Sequence, residues 1–110
     1  MNASAGADGA SPQDDRPLRS DAIVRELAIL NKKGLHARPS AKFVQTVEKF
    51  DALVEVTRNG ETVGGTSIMG LMMLSAGPGA IIHITASGPQ AADVMAALEE
   101  LIATRFGEEE

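Results

Sequence analysis

Apolar residues recur along this chain in two different periods, and the change of period marks its elements. A helical spacing predicts one helix over Pro39–Phe50 and another over Gln90–Phe106. The apolar stripe of the first consists of Ala41, Phe43, Val44, Val47 and Phe50, and that of the second of Val94, Leu98 and Leu101. Proline is tolerated at the start of the first helix, since amides in a first turn have no intrahelical acceptor. Gly107 is a natural stop after the second.

Strand-like segments lie between and around these helices. Ala22–Leu30 and Ala80–Ala86 are rich in β-branched residues, and Leu53–Arg58 alternates apolar with polar positions. Asn59-Gly60 predicts a type I′ hairpin turn, because both central residues of that turn need a positive φ. The returning strand, Glu61–Gly65, is short and contains two glycines.

A third, short helix is predicted between the hairpin and the last strand. Thr66 or Ser67 can cap its start, and it extends through Leu74. Ile68, Leu71 and Leu74 predict its buried stripe. The resulting order is strand, helix, strand, strand, short helix, strand, helix. With one hairpin and few helices, this order predicts an α+β fold in which helices cover one side of an antiparallel sheet.

The segments divide the chain into one folded domain with two polar ends. Residues 1–20 are rich in Ala, Gly, Ser, Asp and Pro, so we expect a disordered tail that cannot bury enough apolar surface to offset its ordering entropy. Residues 21–107 form the expected domain, and residues 108–110 are expected to be a solvated acidic end. A length of 110 residues suits one small domain.

Composition narrows the classes of function. The net charge of −5 argues against nucleic-acid or anionic-membrane partners. Without cysteine there is no disulfide or thiolate chemistry, and two isolated histidines do not indicate a metal site. We therefore expect no metal and no cofactor, and read His83 as a half-exposed structural residue. The absence of a signal peptide or long apolar run predicts a soluble cytoplasmic protein, and nothing in the sequence requires more than a monomer.

The most chemically suggestive stretch is the approach to the first helix. His36 lies near a helix N-terminus, where free backbone N–H groups and the positive end of the dipole favour an anion. Arg38 adds a full positive charge there. The residue before a proline avoids the α region, so either His36 or Arg38 is the formal N-cap. A neutral imidazole at such a place can accept a phosphoryl group covalently, with Arg38 and the Ala37 and Arg38 amides holding its oxygens.

A second cluster falls in the short helix. Ser67 is predicted as its N-cap, and a phosphate added to that hydroxyl would be tolerated at a helix start. Met69 and Met73 lie off the predicted buried stripe, so we expect them to be exposed. Exposed methionines are polarizable and adaptable, which favours a docking surface over additional core.

Several of these motifs together resemble the HPr family, the histidine phosphocarriers of the phosphoenolpyruvate phosphotransferase system. They are Gly34-Leu35-His36-Ala37-Arg38-Pro39, the Asn-Gly hairpin, the Ser67 segment and the Gly-Pro before the last helix, and the similarity spans Ile23 to Phe106. The resemblance implies an open-faced β-sandwich with strand order 1-4-2-3 under three helices. It implies that Nδ1 of His36 accepts a phosphoryl group through Enzyme I and passes it to an EIIA-type protein, with Arg38 stabilising the group.

The resemblance also implies a regulatory serine and a partner surface. Ser67 matches the serine that an HPr kinase/phosphorylase modifies in some bacteria. The docking positions of the family match Ala37, Ile68, Met69, Met72 and Met73. Residues 71–74, 87–90 and 105–110 resemble the nitrogen-related branch, NPr. The protein is then a carrier rather than an autonomous enzyme.

Three alternatives stay open at this point. One is an HPr of sugar uptake. Another is a binding module that is regulated through Ser67 and transfers no phosphate. The third is a small domain that binds anions noncovalently at the helix terminus.

Overall fold

The computed structural model describes residues 22–108, which form four strands, three α-helices and one 3₁₀ turn. The predicted tail, residues 1–20, lies outside the described residues. In chain order the elements are β1 (Ile23–Ala28), α1 (Ala37–Val47), β2 (Leu53–Arg58), β3 (Glu61–Gly64), α2 (Ile68–Met73), β4 (Ile81–Ser87), α3 (Ala91–Ala103) and a 3₁₀ turn (Arg105–Gly107).

The strands form one antiparallel sheet in the order β1-β4-β2-β3. This order confirms the predicted 1-4-2-3 arrangement. Ile82 and Ile84 of β4 are fully buried, whereas Ile81 is 43% exposed and His83 is exposed. Since alternate side chains of a strand point to opposite faces, one face of the sheet is covered by helices and the other faces solvent.

The core lies between the sheet and the apolar stripes of α1 and α3. Val54 and Val56 of β2 are buried, as the alternation in the sequence predicts. The residues with no exposed surface include Ile29, Phe43, Val56, Leu71, Ile82, Ile84, Ala86, Val94, Leu98 and Phe106. Burying aliphatic and aromatic side chains of this size contributes about 1.5–3 kcal/mol each.

The hairpin between β2 and β3 follows its sequence signal. Asn59 has φ +52° and Gly60 has φ +82°, so both central residues are in the left-handed region. Asparagine and glycine tolerate that conformation better than other residues. The turn aligns Arg58 opposite Glu61 and so sets the register of the pair.

Two helices end three residues earlier than the sequence pattern predicts. α1 ends at Val47 rather than Phe50, because the Phe50 amide donates to the Val47 carbonyl in a tighter turn. α3 ends at Ala103 rather than Phe106. The Thr104 hydroxyl donates to the carbonyls of Glu100 and Leu101, and left-handed residues follow.

A reciprocal pair of hydrogen bonds joins the end of α1 to the start of α3. The Gln90 amide donates to the Asp51 carbonyl at 3.0 Å, and the Asp51 amide donates to Oε1 of Gln90 at 2.7 Å. Gln90 precedes the first residue of α3, and Asp51 follows the turn that closes α1. This clamp fixes the end of α1 that is distant from His36.

Candidate functional site

His36 is the N-cap of α1, which decides between the two assignments left open by the sequence. Its backbone is extended (φ −81°, ψ −166°), and its carbonyl accepts the first helical hydrogen bond from Ser40 at 3.0 Å. Arg38 is already helical despite the proline that follows it. The amides of Ala37 and Arg38 have no hydrogen-bond partner within residues 22–108. Two donors are therefore available at the positive end of the helix dipole.

The loop before His36 is held by contacts that require particular residues. Gly34 has φ +68°, and a Cβ on it would lie 2.2 Å from the Ala76 carbonyl oxygen. The next residue, Leu35, donates its amide to that same oxygen at 2.9 Å. From the helix side, the buried Ser40 hydroxyl donates to the Leu35 carbonyl at 3.2 Å. Because hydrogen bonds hold the loop from both sides, they fix the position of His36.

The His36 ring contacts a carboxylate from the far end of the chain. Nε2 lies 3.1 Å from Oε2 of Glu108, and Oε1 of Glu108 accepts a hydrogen bond from Nδ2 of Asn31 at 3.0 Å. The Glu108 side chain is only 16% exposed. The prediction that residues 108–110 are a solvated acidic end is therefore wrong for Glu108, because the chain turns after α3 and places this carboxylate against His36.

The electrostatic surroundings keep Glu108 ionised. The pKa of its carboxyl is held below the ordinary value of 4.5, first by the hydrogen bond from Asn31 and then by His36 and Lys42, against the opposing effect of burial. An ionised carboxylate only accepts hydrogen bonds, so the proton between it and His36 is carried by Nε2. Among the described residues, Nδ1 has no hydrogen-bond partner.

A cationic cleft of about 600 Å³ opens beside His36. Lys33, Arg38 and Lys42 line it, and Glu108 is the acidic residue in its wall. Arg38 is exposed and lies in the same cleft as His36, as the sequence predicts. The local charge is thus positive in a chain whose net charge is −5, which favours a phosphate group at this place.

A second cleft joins His36 to the methionine-rich helix. It has a volume of about 330 Å³ and includes His36, Leu35 and Met72 in its lining. Met69 and Met73 are each 71% exposed, as predicted. Met72, Ile68 and Ala37 are also exposed. The five predicted docking residues form the docking surface: Ala37, Ile68, Met69, Met72 and Met73.

The predicted buried stripe of α2 is only partly correct. Leu71 and Leu74 are buried, but Ile68 is 40% exposed. Positions i, i+3 and i+6 turn through about 120° around a helix, at about 3.6 residues per turn. One short helix cannot bury so wide an arc, and Ile68 lies at its exposed edge.

Ser67 is the N-cap of α2, and its side chain makes the expected contact. Oγ accepts a hydrogen bond from the Gly70 amide at 3.0 Å. The residue is exposed, so its hydroxyl lies at the surface next to Ile68. The structure does not bring Ser67 into either of the clefts that contain His36.

The second histidine, His83, lines neither of the clefts that contain His36. His83 is on the open face of the sheet, where Nε2 is 3.5 Å from Oε2 of Glu26. Within residues 22–108, no group of three His, Cys, Asp or Glu side chains could hold a metal ion. The described helices also include none that is long and apolar enough to cross a membrane.

Glu108, Asn31 and Lys42 are the site residues that sequence reasoning missed. Asn31 read as an ordinary loop residue, but it is fully buried and also donates Nδ2 to the Gly34 carbonyl at 2.8 Å. Lys42 was not predicted as a site residue, but its Nζ donates to the Phe106 carbonyl. The one local sequence feature that could have indicated the position of Glu108 is Phe106-Gly107, an apolar residue that can be buried followed by a glycine that allows a turn.

Comparison with known proteins agrees with this geometry. A family model described as PTS HPr component phosphorylation site matches residues 23–104. The phosphocarrier protein HPr of Cupriavidus necator is 49% identical over 88 residues, covering 80% of this chain and 99% of that protein. The HPr of Neisseria meningitidis gives the same identity and coverage.

Solved structures show the same relationship. The crystal structure of HPr from Thermoanaerobacter tengcongensis superimposes with a TM-score of 0.77 at 40% identity, covering 80% of this chain and 99% of that one. The chain belongs to the HPr family. It is a phosphocarrier of the phosphotransferase system, and the family resemblance of the sequence is thereby confirmed.

Proposed function

We propose that His36 accepts and donates the phosphoryl group through Nδ1, with Arg38 and the Ala37 and Arg38 amides stabilising the transferred oxygens. The observation that carries this proposal is the position of His36, the N-cap of α1 in a cationic cleft with two free amides. Nε2 is engaged by Glu108, so Nδ1 is the ring nitrogen that has no hydrogen-bond partner within residues 22–108.

The chemistry needs a nucleophile and moderate anion binding. The Nδ1 lone pair attacks phosphorus, the bond from phosphorus to the donor breaks, and the donor takes that electron pair. Stabilisation should be greater for the transition state than for the phosphorylated carrier, because a tightly held phosphate would not be passed on. An exposed arginine and two backbone amides are suited to this moderate binding.

The decisive experiment is phosphorylation by phosphoenolpyruvate and Enzyme I, measured by intact mass before and after mild acid. We expect one acid-labile phosphate on the wild type and none on His36→Ala. His83→Ala is the matched control, because His83 is the only other histidine in the chain, and it should be labelled normally.

Acid-labile phosphate on the His36→Ala variant would refute the assignment. No labelling of the wild type, by an Enzyme I that labels another carrier, would favour the alternative of a binding module without phosphotransfer. Reversible phosphate binding without a covalent mass increase would favour the noncovalent anion-binding domain.

Enzyme I and an EIIA-type acceptor are the proposed partners, and both use the docking surface. The cleft shared by His36 and Met72 supports this, since it makes the surface continuous with the phosphorylated residue. The exposed methionines could adapt to two different partner proteins. This role needs only a monomer in the cytoplasm, as the sequence predicts.

A charge placed on the docking surface tests the partner proposal. We expect Met73→Lys to raise the KM for Enzyme I about tenfold or more, because a lysine there must be desolvated on docking. Val24→Lys is the control, since Val24 is an exposed apolar residue of β1, in the sheet rather than on α2. Equal KM values in both variants would place docking elsewhere.

Ser67 is proposed as a regulatory phosphorylation site. Its hydroxyl is exposed at the helix start and adjoins the docking surface through Ile68. A phosphate would add about 1.5–2 negative charges there, which would weaken docking of Enzyme I. HPr kinase/phosphorylase with ATP should give an acid-stable phosphate that is lost in Ser67→Ala, and an unmodified wild type would contradict this proposal.

The nitrogen-related branch is proposed over sugar uptake. Residues 71–74, 87–90 and 105–110 carry the resemblance to NPr. The test compares transfer from the phosphorylated carrier to a regulatory EIIA of the nitrogen branch and to a sugar-specific EIIA. Preference for the sugar-specific acceptor would assign the chain to the uptake pathway.

A further inference from the structure

The C-terminal segment brings a carboxylate to His36 through an unusual backbone turn. Arg105 and Phe106 have φ +57° and Gly107 has φ +76°, so three successive residues are left-handed. Residues other than glycine adopt this conformation only where the surrounding structure imposes it. Phe106 is fully buried and Lys42 binds its carbonyl, so the turn is anchored on both its side chain and its backbone.

The anchored turn places the Glu108 carboxylate between His36 and Asn31. One carboxylate oxygen lies 3.1 Å from Nε2 of His36, and the other accepts from Nδ2 of Asn31 at 3.0 Å. The same Nδ2 donates to the Gly34 carbonyl at 2.8 Å. Asn31 therefore links the carboxylate to the loop that positions His36.

We propose that Glu108 is a positioning residue for phosphoryl transfer: it fixes the ring proton of His36 on Nε2 and offsets the positive charge that the ring gains on phosphorylation. This inference rests on the proposed role of His36. A carboxylate that orients a histidine and stabilises its cationic form is a general arrangement in nucleophilic and acid–base catalysis.

The proton and charge balance follows from the geometry. Before transfer, the neutral ring carries its proton on Nε2 and its lone pair on Nδ1. Attack forms the Nδ1–P bond and breaks the bond from phosphorus to the donor, which leaves with the electron pair. The Nε2 proton stays in place, so the ring becomes cationic beside Glu108. When the phosphoryl group passes on, the ring takes back the electron pair and is neutral again.

Glu108 also has a consequence for the lifetime of the phosphorylated state. A protonated phosphoimidazole loses its phosphoryl group more readily, because the departing ring is then neutral. Among residues 22–108, the charged groups around this ring are Glu108 from the C-terminal segment, Arg38 and Lys42 from α1, and Lys33 from the preceding loop. Glu108 is the anion among them and favours the protonated ring, which the three cations oppose.

The test uses the full-length chain and its Glu108→Gln variant, which keeps size and removes charge. Glu100→Gln is the matched control, because Glu100 is an exposed residue of α3 outside the His36 clefts. We expect kcat for phosphorylation by Enzyme I to fall about three- to tenfold in Glu108→Gln, with KM within about twofold of wild type.

Two further measurements distinguish positioning from a structural role. The rate of hydrolysis of the phosphorylated protein, measured from pH 5 to 9, should be higher where the ring is protonated. In Glu108→Gln this faster hydrolysis should begin at a lower pH than in wild type or Glu100→Gln. In ¹⁵N NMR spectra of the unphosphorylated chain, the wild-type ring should carry its proton on Nε2, and the Nδ1–H form should increase in Glu108→Gln.

The outcomes separate this inference from the proposed function. Wild-type kcat and an unchanged hydrolysis profile in Glu108→Gln would overturn the role of Glu108, while labelling of His36 would stand. A rise in KM with unchanged kcat would also overturn it, because it would assign Glu108 to docking. Acid-labile phosphate on His36→Ala would instead refute the proposed function.

Discussion

Replacing Gly34 with alanine should strongly destabilise the fold beside the proposed phosphorylation site. The new Cβ would lie 2.2 Å from the Ala76 carbonyl oxygen and 2.7 Å from the Gly77 Cα, well inside the ordinary contact distance of 3.4 Å. Both neighbours are backbone atoms, so neither can swing aside as a side chain would. The loop must move, and His36 lies two residues further on.

Three unfavourable contributions and one favourable one set the size of the effect. An alanine in the left-handed conformation costs about 1–2 kcal/mol. Losing the hydrogen bond from Leu35 to Ala76 costs about 0.5–1.5 kcal/mol, and displacing a packed loop costs about 1–3 kcal/mol. Lower entropy of the unfolded alanine chain returns about 0.4–1 kcal/mol. We expect Gly34→Ala to reduce the free energy of unfolding by about 2–6 kcal/mol.

Gly60→Ala isolates the conformational part of this cost. Gly60 also has a positive φ, +82°, but a Cβ on it would meet no atom within 4 Å. Its destabilisation should therefore be about 1 kcal/mol, which corresponds to a decrease in Tm of roughly 4–8 °C for a domain of this size.

Thermal unfolding followed by far-ultraviolet circular dichroism is the suitable assay, since the chain has no tryptophan or tyrosine. The Tm of Gly34→Ala should be at least about 4 °C below that of Gly60→Ala, since the difference in stability is at least about 1 kcal/mol. Equal Tm values would show that the loop accommodates a methyl group, and the steric argument would be refuted.

Three further predictions concern the caps and the C-terminal segment. Ser67→Ala should lower the free energy of unfolding by about 1 kcal/mol through loss of the Gly70 hydrogen bond, while Ser67→Asp should retain most of it; equal urea midpoints for the two would contradict the capping role. Phe106→Ala should lower the free energy of unfolding by about 3–5 kcal/mol and release the turn before Glu108. The Tm should fall and the NMR signal of the Nε2 proton should be lost; an unchanged signal would show that the turn does not hold Glu108 against the ring. The pKa of Glu108 in the folded protein is lowered below 4.5. Its stabilising effect is therefore complete above pH 4.5 and is lost as pH falls through the folded pKa. Urea midpoints from pH 6 to 3 should fall more steeply for wild type than for Glu108→Gln, and parallel curves would refute this linkage.

Local sequence chemistry predicted those parts of the structure that depend on a few adjacent residues. Asn59-Gly60 specified the hairpin through its φ requirement, and Ser67 specified a helix start through its hydroxyl. The helix start at His36 was predicted within two residues. Its exact N-cap could not be predicted, because a residue before a proline usually avoids the helical region and Arg38 precedes Pro39.

Contacts between distant residues could not be predicted in the same way. Glu108 and His36 are 72 positions apart, and a run of acidic residues after a glycine gives no indication that the first of them is held. The exposure of Ile68 was missed for a geometric reason, since a stripe at i, i+3 and i+6 exceeds the arc that a six-residue helix buries. Asn31 was missed because an asparagine in a loop is usually solvated.

The clamp between Asp51 and Gln90 has a consequence for how quickly this carrier works. It holds the end of α1 opposite to His36, and Ser40 ties the near end to the preceding loop. A helix of 11 residues, about 16 Å long, is thereby held by hydrogen bonds at both ends. We therefore expect docking to proceed without rearrangement of α1, so that the encounter of carrier and partner needs only a collision in the right orientation, typically at about 10⁵–10⁷ M⁻¹s⁻¹. At carrier concentrations below the KM of Enzyme I, flux should therefore rise in proportion to the number of carrier molecules, so that the abundance of the carrier becomes a means of control.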